Sequence, residues 1–95
     1  KALHAPGHTP GSTVFIVNDE YLISGDVLFR NAIGNTSLRL GSPEDMKRTL
    51  QRVILPLDDE LIVLPGHGPE TTIGRERKNN EYLQDKFLIA IHFYL

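Results

Sequence analysis

The chain contains no cysteine, no tryptophan and only one methionine. Without cysteine, the sequence excludes disulfide bonds, thiolate zinc fingers and thiol nucleophiles, so any metal ion must be held by histidine and carboxylate side chains. Basic residues are not in excess either, because 10 Lys and Arg stand against 12 Asp and Glu and give a net charge of -2. This balance disfavours nucleic acid as a partner, since it leaves no general basic surface to neutralise phosphates.

Long hydrophobic runs are also missing. The longest apolar run, Phe87–Leu95, has nine residues and is interrupted by His92, which is about half of a helical membrane span. We therefore expect no membrane association. No signal peptide opens the sequence, and a cytoplasmic location is expected. The chain starts at Lys1 rather than at a methionine, so we expect further residues upstream in the parent protein.

The 95 residues, of which 40% are apolar and 23% charged, are sufficient for one small globular unit. Two prolines and two glycines between Ala5 and Ser12 indicate a stiff loop, and His8 lies within it. The β-branched and aromatic runs 13–17 and 21–23 predict two adjacent, largely buried antiparallel strands. Asp26 follows the second of these strands directly after a glycine.

In the next segment, Leu28–Gly41, apolar residues do not recur at the spacing of a helix or a strand, so the segment is predicted to be a loop. Ser42 as N-cap and Pro43 as first residue then predict a helix that ends at Pro56. Its apolar residues recur at helical spacing and predict one buried face: Met46, Leu50, Val53 and Ile54.

A short buried strand is predicted at 61–64, followed by a second stiff loop, 65–69, that contains His67. Thr71 or Thr72 then caps a second predicted helix, which we expect to run through Glu81 and beyond. Basic and acidic side chains alternate along this helix and predict an exposed surface with salt bridges: Arg75, Glu76, Arg77, Lys78, Glu81 and Asp85. The predicted fold class is thus α/β.

Three potential metal ligands share one kind of local setting. His8, Asp26 and His67 each lie at or beside a strand end, in a segment stiffened by glycine or proline. Loops at strand ends converge in a folded sheet, and imidazole nitrogen and carboxylate oxygen suit zinc, iron or manganese. A hydrolytic site with two cations needs one carboxylate that can bridge them. The sequence therefore predicts a metal site built from these three side chains.

Three ordered segments, 6–12, 23–30 and 64–72, resemble the second half of a metallo-β-lactamase superfamily hydrolase, and within it the hydroxyacylglutathione hydrolase branch. The resemblance extends from about His4 to Asn80. It implies an αββα sandwich with a dinuclear metal site along one edge. This chain would then be the C-terminal half of that fold, so that residues 1–95 form a single partial domain with a partial mixed sheet and two helices.

The resemblance also implies a role for each candidate ligand. His8 would bind the first metal ion, His67 would bind the second, and Asp26 would bridge both as the catalytic carboxylate. Two zinc ions are implied, with iron or manganese as alternatives. The implied substrate is a small-molecule acyl thioester such as a hydroxyacylglutathione. An aspartate rather than a cysteine at the bridging position argues against the common zinc β-lactamases.

Two departures from the family pattern limit what the chain can do alone. The His-x-His-x-Asp-His motif of the family's first half is absent from this chain, so the resemblance implies that the remaining ligands lie outside it, for example in a missing N-terminal half. In many relatives, a glycine is followed by a basic residue that helps to hold glutathione. This chain has Gly34-Asn35 at that place, so the basic residue is replaced by Asn35. We therefore expect the isolated chain to be inactive, and to pair either with the missing half or with a second copy through an apolar surface that includes 87–95.

Two alternatives to a thioester hydrolase stay open at this stage. A persulfide dioxygenase-like enzyme with one iron resembles the sequence at His8 and Asp26, but that branch does not use its downstream histidine as a ligand, so the setting of His67 weighs against it. The second alternative is a noncatalytic truncated fragment.

Overall fold

A computed structural model gives the fold of residues 1–88. The strands of this part of the chain are β1 (Ala2–His4), β2 (Thr13–Val17), β3 (Tyr21–Gly25), β4 (Leu28–Phe29), β5 (Ala32–Ile33), β6 (Ile62–Pro65) and β7 (Thr71–Thr72). Its helical segments include α1 (Pro43–Thr49), a π-helical turn (Leu50–Ile54), α2 (Ile73–Asn79) and a 3-10 turn (Glu81–Leu83).

Five strands form a mixed sheet in the order β1-β2-β3-β6-β7. The β3 and β6 strands are parallel, whereas the other neighbours in this sheet are antiparallel. A separate hairpin is formed by β4 and β5. The predicted α/β class, with a partial mixed sheet and two helices, is confirmed. Because parallel strands require a crossover connection, the chain passes through α1 between β3 and β6.

Helix α1 begins where its capping residues predict. The Ser42 hydroxyl accepts a hydrogen bond from the backbone N–H of Asp45 at 3.1 Å, and Pro43 occupies the first helical position. The helix continues into the π-helical turn, in which the N–H of Leu55 bonds to the carbonyl of Leu50 at 2.9 Å. The apolar face of this helical segment reaches the core through Met46 and Leu50, each at most 1% exposed.

The two faces of the main sheet differ in solvent exposure. Val14, Leu22 and Val63 are completely buried and form the core with the helices. Alternate side chains point to the opposite face, where three apolar residues stay between 39% and 46% exposed: Phe15, Val17 and Ile23. We call these three residues the outer sheet face. Phe15 and Ile23 are register partners across β2 and β3, so the apolar surface is continuous across the strands.

Two local predictions are wrong. The 28–41 segment is not entirely a loop, because it contains the β4–β5 hairpin, whose turn includes Asn31 in the left-handed region at a φ of 63°. Two-residue strands are too short for a period to show in the sequence. The second helix does not run through Glu81, because it ends at Asn79 and Asn80 is extended, with its side chain capping the following 3-10 turn.

The predicted exposure of the second helix is also wrong at one residue. Glu76 is completely buried, whereas its neighbours Arg77 and Lys78 reach the surface. Arg77 bonds to Asp59 at 2.7 Å and to the carbonyl oxygens of Leu55 and Leu57 at 2.8 and 2.9 Å. The helix is therefore fixed to the end of the preceding helical segment rather than exposed along its length.

The apolar C-terminal run lies mostly outside the described residues. Its first two members are described: Phe87 packs edge-on against Tyr82, with ring centroids 5.0 Å apart, and Leu88 is 2% exposed in the core. Residues 89–95, including His92, are outside the described part, so the prediction for the rest of the run stays a prediction. None of the helices in residues 1–88 has the length and hydropathy that a bilayer span requires.

Candidate metal centre

The three predicted ligands lie together at one end of the main sheet. Asp26 follows β3 and His67 follows β6, and because these neighbouring strands are parallel, their carboxyl ends meet at one edge. The N–H of Gly66 donates to the carbonyl of Gly25 at 2.8 Å, which continues the strand pairing up to the site. The loop between β1 and β2 brings His8 to the same place.

Asp26 lies between the two histidines. The Nε2 atom of His8 is 3.5 Å from Oδ2 of Asp26, and the Nε2 atom of His67 is 3.4 Å from Oδ1. Each imidazole thus faces a different oxygen of one carboxylate. Ligands that lie roughly 2.0–2.2 Å from a tetrahedral zinc ion are roughly 3.3–3.5 Å from each other. The His8–Asp26 and His67–Asp26 distances therefore each fit a pair of ligands on one ion, with a separate ion for each pair.

The His8 ring is held in the form that a metal ligand requires. Its Nδ1 atom is 2.8 Å from the backbone carbonyl oxygen of Asn35. Because a carbonyl oxygen only accepts hydrogen bonds, Nδ1 donates this bond, and Nε2, on the side of Asp26, is the nitrogen that a metal ion would use. A backbone carbonyl behind a histidine is a common support for a metal ligand.

Helix α1 fixes the loop that carries His8 at two points. The backbone N–H of Ser42, at its N-terminus, donates to the carbonyl of Gly7 at 2.7 Å. At its last residue, the hydroxyl of Thr49 donates to the carbonyl of Pro6 at 2.6 Å. The position of His8 relative to the sheet therefore depends on the packing of the helix.

Close approach at the site requires glycine at position 34 and leaves little space for a side chain at position 66. A Cβ atom at Gly34 would overlap the carbonyl oxygen of Asp26 and lie 3.2 Å from the Cβ of His8. A Cβ atom at Gly66 would lie 3.1 Å from Oδ1 of Asp26. A side chain at position 34 would therefore push apart two of the three candidate ligands.

We expect Gly34→Ala to lower the free energy of unfolding by about 1–3 kcal/mol, the usual cost of an overpacked site. Urea denaturation measures this change, and amide chemical shifts near Asp26 report the displacement. Gly11→Ala is the matched control, because a Cβ atom there meets nothing within 4 Å. Equal stability of the two variants would contradict the close approach at Gly34.

Among residues 1–88, no group of three or more His, Asp or Glu side chains is placed so that it could hold a metal ion. The contacts around Asp26 are smaller, with one imidazole facing each oxygen of the carboxylate. His4 is not part of the site, since its Nε2 atom is 2.7 Å from the carbonyl oxygen of Pro10.

The structure adds residues that the sequence analysis did not assign to the site. The Phe29 ring stacks beside His67, with centroids 6.1 Å apart, and the Asn35 carbonyl supports His8. No local sequence pattern predicts either of these two contacts. Phe29 belongs to an unpredicted hairpin, and the contribution of Asn35 comes from its backbone rather than its side chain.

Comparison with known proteins identifies the family. The model of the metallo-beta-lactamase superfamily matches residues 1–67. The chain belongs to the metallo-beta-lactamase superfamily. Members of this superfamily bind metal ions. The chain is 42% identical to the hydroxyacylglutathione hydrolase GloC of Haemophilus influenzae, over 88% of this chain and 40% of that protein.

Two solved structures are similar to this chain in both sequence and fold. The B3 metallo-beta-lactamase BLEG-1 is 44% identical, with a TM-score of 0.84 over 88% of this chain and 41% of that one. The di-iron-bound form of TTHA1623 is 39% identical, with a TM-score of 0.81 over 87% of this chain and 42% of that one. The chain thus spans about two-fifths of the length of these three proteins.

Proposed function

We propose that the protein to which this chain belongs is a metal-dependent hydrolase acting on a small-molecule acyl thioester such as a hydroxyacylglutathione. The observation that carries the proposal is the Asp26 carboxylate, which presents one oxygen to His8 and the other to His67 at 3.5 and 3.4 Å. The identity of 42% with a hydroxyacylglutathione hydrolase supports the substrate class.

The donor set indicates which residues would hold the metal ions. His8 and Asp26 would hold one ion, and Asp26 and His67 would hold the other. Nitrogen and oxygen donors suit zinc, and also iron or manganese. When bound, such ions polarise an acyl carbonyl and lower the pKa of water toward neutrality.

The chain's own residues set the geometry and charge of this site. Asn35 holds the proton on Nδ1 of His8, so that Nε2 stays free to ligate. Asp26 would contribute its negative charge to both metal positions, and we propose that it is the shared, catalytic carboxylate. Gly66 leaves room for that carboxylate to approach the His67 loop.

Three side chains cannot fill two coordination spheres, since each zinc ion takes about four ligands. We propose that a further part of the parent protein supplies the rest and covers the outer sheet face. Its continuous apolar surface supports this, because monomeric proteins seldom leave such a patch open. A second copy of the chain is the alternative partner.

If the outer sheet face is uncovered in the isolated chain, the chain will self-associate. We expect the double substitution Phe15→Lys and Ile23→Lys to shift it toward monomer in sedimentation equilibrium. The matched control is Leu38→Lys with Leu40→Lys, which changes two apolar residues that are 60% and 61% exposed but lie outside the sheet. A parent chain that is already monomeric would contradict the prediction.

The function is tested with the full-length protein and three substrates: S-lactoylglutathione, a chromogenic cephalosporin and glutathione persulfide. We expect hydrolysis of the thioester, its loss on chelation and its return with added zinc. Hydrolysis of the cephalosporin alone would indicate a β-lactamase, and oxygen uptake with the persulfide would indicate a dioxygenase. No turnover with any substrate in the zinc-, iron- or manganese-loaded protein would indicate a noncatalytic protein.

The isolated 95-residue chain provides a further test, because we expect it to bind zinc weakly and to lack hydrolase activity. Isothermal titration with zinc measures the first property, and the thioester assay measures the second. Tight binding of two zinc ions by this chain would overturn the proposal that the site is shared with another part of the protein.

A further inference from the structure

We infer that Phe29 is a positioning residue for His67, and that the buried carboxylate of Glu76 holds Phe29 in place. The inference rests on the proposed role of His67 as a metal ligand. It concerns how the more exposed of the two imidazoles keeps a ligating orientation.

The two histidines differ in their support. The side chain of His8 is 22% exposed and its Nδ1 atom bonds to the backbone of Asn35. The side chain of His67 is 80% exposed. Within residues 1–88 its ring has the Asp26 carboxylate at Nε2 and the ring of Phe29 beside its face. A side chain this open loses rotamer freedom when it binds a metal ion, unless a neighbour has already restricted it.

Phe29 is the neighbour that provides this restriction. Its ring lies 6.1 Å from that of His67, centroid to centroid, at an interplanar angle of 29°. These values lie within the range of offset aromatic stacking. Rotation of the His67 ring away from this arrangement would break the stacking and turn Nε2 away from Asp26. Phe29 therefore favours the orientation in which His67 faces the carboxylate.

The hairpin that carries Phe29 needs support of its own, because two-residue strands are unstable in isolation. Asn80 supplies part of this support. Its side-chain amide donates to the carbonyl oxygen of Ala32 at 3.2 Å and lies 3.5 Å from the carbonyl oxygen of Phe29. These two residues are register partners in the hairpin, so one amide group holds both strands.

Glu76 supports both the turn of the hairpin and Asn80. Its Oε1 atom accepts from the backbone N–H of Asn31 at 2.7 Å and from the Asn80 amide at 3.0 Å. Arg75 adds a bond to the Asn31 side chain at 3.0 Å. The buried carboxylate thus connects helix α2 to the hairpin, and through the hairpin to the ring beside His67.

Nuclear magnetic resonance of the metal-free chain tests the contact directly. We expect cross-relaxation between the Phe29 ring protons and the His67 ring protons. Phe29→Leu should remove the ring-current shift of His67 and leave the ring signals of His8 unchanged. Glu76→Gln should move the His67 signals in the same direction, whereas Glu81→Gln, at an exposed position, should not.

The second readout is the affinity of the full-length protein for Co²⁺. We expect Phe29→Leu to weaken Co²⁺ binding about threefold to tenfold, which corresponds to the usual strength of an aromatic pair. Leu38→Ala, at a position that is 60% exposed and outside the sheet, should leave the affinity unchanged. If Phe29→Leu does not fold, Phe29→Tyr keeps the ring and must keep both the contact and the affinity.

The outcomes separate this inference from the proposed function. Absence of the Phe29–His67 contact in the parent chain overturns the inference, as does a Phe29→Leu variant with unchanged His67 signals. If the contact is present but His67→Ala binds Co²⁺ as tightly as the parent protein, His67 is not a ligand and the metal-site proposal fails instead.

Discussion

We expect Asp26→Asn to lower kcat/KM of the metal-loaded full-length protein toward the proposed thioester substrate by more than about 100-fold. Loss of a group that only supports a metal ligand costs 10- to 100-fold, and loss of the shared ligand costs more. The amide keeps the shape of the side chain but removes its charge and replaces one of the two ligand oxygens with an NH₂ group. Metal content, measured on the same samples, should fall at both positions together.

Asp19→Asn is the matched control for this variant. Asp19 is exposed in the β2–β3 turn, at the opposite end of the strand from Asp26, and its φ of 52° is one that asparagine adopts readily. We expect its activity and metal content to equal those of the parent protein. An Asp26→Asn protein that keeps both metal ions and most of its activity would contradict the bridging assignment.

The second large effect is expected at Glu76, a completely buried carboxylate. Burial alone raises the pKa of Glu76, but hydrogen bonds more than offset this and hold the pKa below its ordinary value of 4.5; the donors are Thr71, Asn31, Asn80 and Arg75. In Glu76→Gln an NH₂ group faces some of these donors, which then lose their acceptor. We expect the free energy of unfolding at pH 7 to fall by about 2–3 kcal/mol, measured by urea denaturation.

The same carboxylate gives a defined pH dependence. Because the pKa of Glu76 is lower in the folded state, its contribution to stability is present in full above pH 4.5 and is lost as the pH falls through the folded-state value. The stability difference between the parent chain and Glu76→Gln should therefore narrow below pH 4.5. The exposed control Glu81→Gln should differ from the parent chain in its free energy of unfolding by no more than about 0.5 kcal/mol at every pH. If Glu76→Gln lowers the free energy of unfolding by the same amount at pH 7 and at pH 3, the Glu76 carboxylate is not the source of the pH dependence.

The parts of the fold that the sequence predicts are those with strong local signals. Ser42 and Pro43 specify the start of a helix through backbone chemistry alone, and the structure places both where expected. The glycine and proline loops around His8 and His67 follow from the same kind of signal. His67 meets Asp26 because the carboxyl ends of the neighbouring parallel strands β3 and β6 lie together. His8 reaches the same edge because β1, two strands away, runs in the same direction as β3.

The parts that the sequence does not predict depend on partners far along the chain. Glu76 lies among basic residues in a pattern typical of an exposed helix, and its burial depends on Asn31, 45 positions away. Asn80 ends the helix because its amide is needed by the hairpin, which no local pattern reveals. The β1 and β7 strands have three and two residues, too few for alternation to appear.

The parallel pairing of β3 with β6 also determines when the site can form during folding. Asp26 and His67 are about forty residues apart, and they meet only after the crossover through α1 has closed and Gly66 has paired with Gly25. Non-local contacts of this kind form slowly, since the entropy of closing the intervening loop is lost before the contacts stabilise it. A metal ion that binds only this late arrangement would slow unfolding and leave the folding rate nearly unchanged. The stability that it adds would therefore appear mainly as a longer lifetime of the native state.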